Sequence, residues 1–127
     1  MNTLTAEWVK KAEGDYSTAQ REVRARRAPN YDAACFHAQQ AAEKYLKGFL
    51  QEQNFPPPKI HNLGQLLHLC LPYDAQFQQI DQQLAALDAY AVRYRYPGDS
   101  ATNADARSAL QHLQAVRTFL RGKLGLT

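Results

Sequence analysis

The side chains of this chain best suited to act on a phosphate gather at two places. One is the segment VRYRYPGDSATNAD, residues 92–105, where Arg93 and Arg95 crowd together with Tyr94, Tyr96 and the nearby Tyr90 just ahead of Pro97 and Gly98. The other is a helical face on which His37, Gln40 and Lys44 recur at steps of three and four. A guanidinium fork holds charge growing on a phosphoryl group, and an imidazole moves protons near neutral pH. Cleavage of RNA through its own 2′-hydroxyl requires both to converge. A further pair, Arg107 and His112, lies in the last apolar-periodic run. Five residues on a helix turn about 500°, so those two side chains point roughly 140° apart and do not share a face. His61 opens a short helix and reads as a hydrogen-bonded cap or packing residue, and His68 as structural or exposed. No histidine, cysteine and carboxylate set has metal-ligand spacing, so neither a metal nor a cofactor is expected.

These candidates must be positioned by helices, because every apolar pattern in the chain has a three-to-four period and none alternates as a strand would. The expected centre is Tyr31–Leu50. Alanines 33, 34, 38, 41 and 42 run there into Tyr45, Leu46, Phe49 and Leu50, with Gln39, Gln40, Glu43, Lys44 and Lys47 on the other side. Small residues let neighbouring helices approach closely. Asn30 or Asp32 is placed to cap this helix, and Gly48 marks a point where a bulky side chain is excluded. Before it, Trp8, Ala12, Tyr16, Ala19 and Val23 predict a helix of about 20 residues capped by Thr3 or Thr5, ending at RARRAP, where Pro29 disfavours helical geometry. After it, Pro56–Pro58 force an extended crossing. A short helix then follows Asn62, a long one runs from near Asp74 to Tyr94, and the last starts at Thr102 or Asn103. The predicted class is all-α: an up-and-down four-helix bundle with one additional short helix, a single domain over 1–127.

A chain of 127 residues buries roughly two thirds of its unfolded surface, enough for a core without staples. Cys35 and Cys70 lack C-x-x-C spacing and read as buried thiols. No apolar run approaches the length of a membrane helix and no leader pattern opens the chain, so a cytoplasmic protein is expected. With 15 basic against 12 acidic residues, the net charge of +3 tilts it only mildly toward anionic partners.

Several features coincide: Lys11, Ala12 and Asp15 on a tryptophan-bearing first helix, the string ACFHAQQAAEKYLKGFL, His61-Asn62-Leu63 after a proline crossing, and Arg95-Tyr96-Pro97 before the last helix. Together they resemble the HEPN domain family (higher eukaryotes and prokaryotes nucleotide-binding), in its small stand-alone prokaryotic type. The resemblance spans about Trp8 to Leu120, and the string Cys35–Lys47 is its most specific part. It implies a homodimer that binds nucleotide or RNA and is encoded beside a minimal nucleotidyltransferase as a toxin–antitoxin-like pair. It also implies, in many members, a metal-independent ribonuclease whose arginine and histidine come from an Arg-x(4–6)-His motif at the dimer cleft. By family position Arg95 is the phosphate-holding cation; Arg93 supports it, Tyr96 is a hydroxyl donor or stacking ring, and helical spacing makes His37 and Lys44 on the facing helix the nearest ionisable partners. No histidine follows Arg93 or Arg95 within seven residues, so enzymatic activity stays open. Three readings stand: a binding module, a ribonuclease using Arg95 with His37 or the pair Arg107 and His112, and a helical scaffold without ligand.

Overall fold

The structure, a computed structural model, describes all 127 residues. It is all-helical: α1 Thr3–Arg24, α2 Tyr31–Glu52, short α3 Leu63–Cys70, a 3-10 helix Ala75–Ile80 running into α4 Asp81–Arg93, and α5 Asn103–Lys123. The expected helices are all present. The third long one differs in that its first two turns, capped by Asp74, are wound as 3-10 before α4 begins. Asn30, Asn62 and Thr102 cap α2, α3 and α5, and Thr102 forms a reciprocal capping box with Asp105. At α1 the cap is Asn2, whose side chain accepts from the Thr5 amide; Thr5 is buried, so the expected threonine cap is corrected.

Side-chain contacts give the helix directions. Asn2 bonds Glu52 and Gln51 while Glu22 bonds Asn30, so α1 and α2 are antiparallel. Asp32 accepts from the Ala101 amide and Tyr45 meets Arg121, so α5 runs parallel to α2. Gln39 meets Asp88, and Tyr94 meets Asp105, which turns α4 against both. The result is up, down, up, down, with α3 laid across the turn between α2 and α4.

Helix α2 touches α1, α3, α4 and α5, whereas α1 and α4 do not meet. Parallel α2 and α5 come into contact because Ala34, Ala38, Ala41 and Ala42 on one and Ala106 and Ala109 on the other are small and fully buried. Gly48 serves the same end at α1, since a Cβ there would sit 3.2 Å from that of Trp8. At the aromatic end of the core Phe49 packs at a tilt against Phe77 and Phe77 meets Phe119 edge to face, and both cysteines are buried as expected.

Two features differ from expectation. The polar side of α2 is no solvent face: Gln39, Glu43 and Lys47 are buried, because four neighbours cover α2 nearly all round. Tyr94, grouped from sequence with the phosphate-side candidates Arg93 and Arg95, is also buried, its ring stacked on Tyr90 and its hydroxyl donating to Asp105 at 2.7 Å. The α1/α2/α5 seam is pinned by Glu13, which takes two hydrogen bonds from Arg117 at 2.7 and 2.6 Å and one from the Tyr45 hydroxyl at 2.6 Å. Burial, and then the bond to Glu13, push the Tyr45 hydroxyl up to about 12, so it remains a donor.

Candidate functional site

Arg95 follows the end of α4, in the turn where helical hydrogen bonding fails. Its neighbour Arg93 is committed within the loop: Nε donates to Asp99 at 3.1 Å and the guanidinium lies 5.3 Å from the Tyr94 ring. Arg95 makes no ion pair and no side-chain hydrogen bond, and it borders two adjoining depressions. The larger, an open groove of about 490 Å³ between α2, α4 and the crossing before α3, is lined by Phe36, Gln39, Gln40, His61, Asn62, Asp88, Ala91, Val92 and Arg95. The second, about 400 Å³, extends past Phe36 toward Asn30, Asp32, Tyr90 and Tyr94. Apolar surface surrounds this cation, with Phe36, Val92 and Tyr96 all well exposed.

The groove floor is a polar network whose bonds are made from behind. Gln39 Nε2 donates to the His61 carbonyl at 2.9 Å and to Asp88 at 3.3 Å, and Asp88 also accepts from the Leu63 amide at 2.9 Å. Burial holds the Asp88 carboxyl above its ordinary value, against the pull of those donors. Glu43 accepts from Lys47 Nζ at 3.1 Å and from His61 Nδ1 at 3.2 Å. The His61-Asn62-Leu63 stretch is thereby tied to α2 and α4 at three points while the His61 ring stays largely in solvent.

The fold agrees with the comparisons. The family model for the HEPN domain matches residues 5–123. This chain belongs to the HEPN domain family. Among solved structures, TT1696 from Thermus thermophilus is similar at a TM-score of 0.79 and 26% identity, over 94% of this chain and 97% of that one. ST0689, described as an archaeal HEPN homologue, is similar at 0.75 and 28% identity, over 94% and 96%. No curated protein matches the chain.

The HEPN fold distributes the candidate residues unevenly. His37 and Lys44 are brought together, but on Asp15 of α1: His37 Nδ1 lies 2.8 Å from one carboxylate oxygen and Lys44 Nζ 2.5 Å from the other. Neither lines the groove of Arg95. Tyr96 stands in solvent beside it without a hydrogen bond. Arg107 is exposed over a shallow dip with Ala104, Ser108 and Gln111, and His112 is not part of that lining. The residues around the groove that the sequence did not single out for the site include Phe36, Gln39 and Asp88 of its lining and the buried Glu43 that bonds His61. The available signal was the row Gln39, Glu43 and Lys47, polar at steps of four on a helix otherwise built for burial. No helix is long and apolar enough to cross a membrane, and no cluster of three possible metal ligands occurs.

Proposed function

We propose that this HEPN protein is a homodimer that binds RNA or a nucleotide through the Arg95 groove, working with a minimal nucleotidyltransferase in a two-component, toxin–antitoxin-like system. The observation that carries the binding is Arg95 itself. It is a guanidinium with no internal partner on the rim of a groove in which Gln39 and Asp88 are already bonded to each other and to the backbone, so its fork is free for phosphate oxygens. Exposed Phe36 and Tyr96 beside it offer faces on which unpaired bases stack. The same apolar rim, Phe36, Val92 and Tyr96, supports the dimer, in which two grooves would lie side by side. The nucleotidyltransferase partner rests on the family resemblance alone.

Fluorescence anisotropy with labelled single-stranded RNA and with a labelled nucleoside triphosphate tests this reading. Arg95→Ala should weaken binding by about 1–3 kcal/mol, the cost of losing a charge-assisted contact. It should also reduce the salt slope for RNA by about 0.7, the share of one phosphate. Arg93→Ala should do less, since that side chain is spent on Asp99 and Tyr94. Unchanged affinity for both ligands in Arg95→Ala would leave the scaffold reading in its place.

A further inference from the structure

Arginines at the far end of α1 are left over by the fold. Arg117 and Arg121 pair with Glu13 and Arg93 with Asp99, whereas Arg24, Arg26 and Arg27 are exposed and pair with no carboxylate. Arg24 stands in the last turn of α1, where a cation complements the helix dipole. Arg26 and Arg27 lie beyond the helix, so that account does not cover them. Like charges this close in the chain repel unless a counter-charge joins them. Glu22, the nearest acid in sequence, is spent on the Asn30 amide at 2.8 Å. The turn that carries these arginines leads to Arg95. Ala28 adopts a left-handed φ of 45°, where the chain reverses between Arg27 and α2. A third depression, about 360 Å³, is lined by Ala28, Pro29, Tyr31 and Ser100 and shares Asn30 and Asp32 with the second depression beside Arg95. The second in turn shares Phe36 and Arg95 with the large groove. One trough therefore crosses the start of α2, from the RARRAP turn to the Arg95 groove. The carboxylate on the way, Asp32, already accepts from the Ala101 amide at 2.7 Å.

We propose that Arg26 and Arg27 form a second phosphate-binding site at the far end of this trough, so that the ligand is a single-stranded RNA several nucleotides long and not a free nucleotide. The proposal rests on the binding role of Arg95 above and extends it. A free nucleotide fills one depression of this size and carries its phosphates on one sugar. A strand lays successive phosphates along the trough, while its unpaired bases reach the exposed faces of Phe36 and Tyr96. Arginine suits both ends, because its charge persists at any physiological pH and its fork grips phosphate oxygens at two points. The cluster beyond α1 and the lone cation after α4 then serve one ligand from two sides of the α2 start.

The test compares the double variant Arg26→Ala, Arg27→Ala with the double variant Lys10→Ala, Lys11→Ala, which removes the same charge from exposed residues in the first half of α1. Fluorescence anisotropy is read on the full chain with a labelled single-stranded RNA of about 12 nucleotides, its duplex, and a labelled nucleoside triphosphate. Losing both arginines should weaken the single strand about 2- to 30-fold, the worth of two exposed ion pairs, and lower its salt slope by about 1.4, the share of two phosphates. Triphosphate affinity should not change. The lysine variant should keep the wild-type salt slope, and Arg95→Ala should weaken both ligands. A wild-type slope in the arginine variant, an equal fall in the lysine variant, or a matching loss of triphosphate affinity overturns the second site and leaves the Arg95 reading standing. An Arg95→Ala protein that binds both ligands as the wild type does removes both. A duplex held as tightly as the single strand, with the same loss in the arginine variant, overturns the single-strand assignment.

Discussion

Replacing Glu13 by alanine should reveal how the bundle holds its α1/α2/α5 seam. The substitution strips two hydrogen bonds from Arg117 and removes the acceptor of the Tyr45 hydroxyl, a group inside a fully buried side chain. Hydrogen bonds to charged groups contribute about 1.5–3 kcal/mol each, and a buried donor left unpaired costs about 1–3 kcal/mol. The Glu13 side chain is 31% exposed and that of Arg117 27%, so solvent screens part of the ionic share. An overall loss of about 2–4 kcal/mol follows, or roughly 6–15 °C in Tm for a domain of this size. Tyr45→Phe, which leaves Arg117 on Glu13, should cost less, about 1–2 kcal/mol. The pH dependence has a definite sign. The Arg117 hydrogen bond, ahead of the smaller effects of Tyr45 and Arg121, holds the Glu13 carboxyl below its ordinary 4.5 despite burial. Its contribution is therefore complete above that value and fades as pH falls through the lowered folded one. Urea unfolding of wild type and Glu13→Gln at neutral and acid pH measures both effects. A loss below about 0.5 kcal/mol for Glu13→Ala at neutral pH, or a gap between wild type and Glu13→Gln that does not narrow in acid, would refute this account.

Gly48→Leu should cost about 1–3 kcal/mol by thermal melting, because the side chain must enter where a Cβ alone comes within 3.2 Å of Trp8. Val92→Glu, which puts a charge on an exposed residue of the groove rim, should yield a monomer by light scattering if that rim is the dimer seam; a retained dimer moves the seam elsewhere. Asp15→Asn should destabilise the fold by about 1–3 kcal/mol in denaturant, since Lys44 and His37 both rely on that carboxylate. His37→Ala should leave RNA affinity within about twofold of wild type by anisotropy, the ring being absent from the groove lining, and a larger drop would return His37 to the binding site.

The helices were legible in the sequence because the forces that place them are local. The recurrence of Trp8, Ala12, Tyr16 and Ala19, the side-chain oxygens of Asn30, Asn62 and Thr102, and the prolines after Phe55 each act within one or two turns of chain. Asn2 escaped for a related reason, since several polar residues at the chain start can cap α1 and only the packing of Thr5 decides among them. Arg95 was legible as the loop's cation, with the family resemblance marking it. Its surroundings were not. Periodicity says which residues share a face of a helix but not what covers that face. His37 and Gln39 lie about 200° apart around α2, so Asp15 of α1 claims the first while α4 and the His61 crossing claim the second. That assignment depends on where α1 and α4 dock, which is fixed by contacts between residues distant in sequence. The same docking buries Gln39, Glu43 and Lys47, sets Arg95 among groups from α2, α4 and the crossing, and turns His61 from a residue near a helix start into the groove's only histidine.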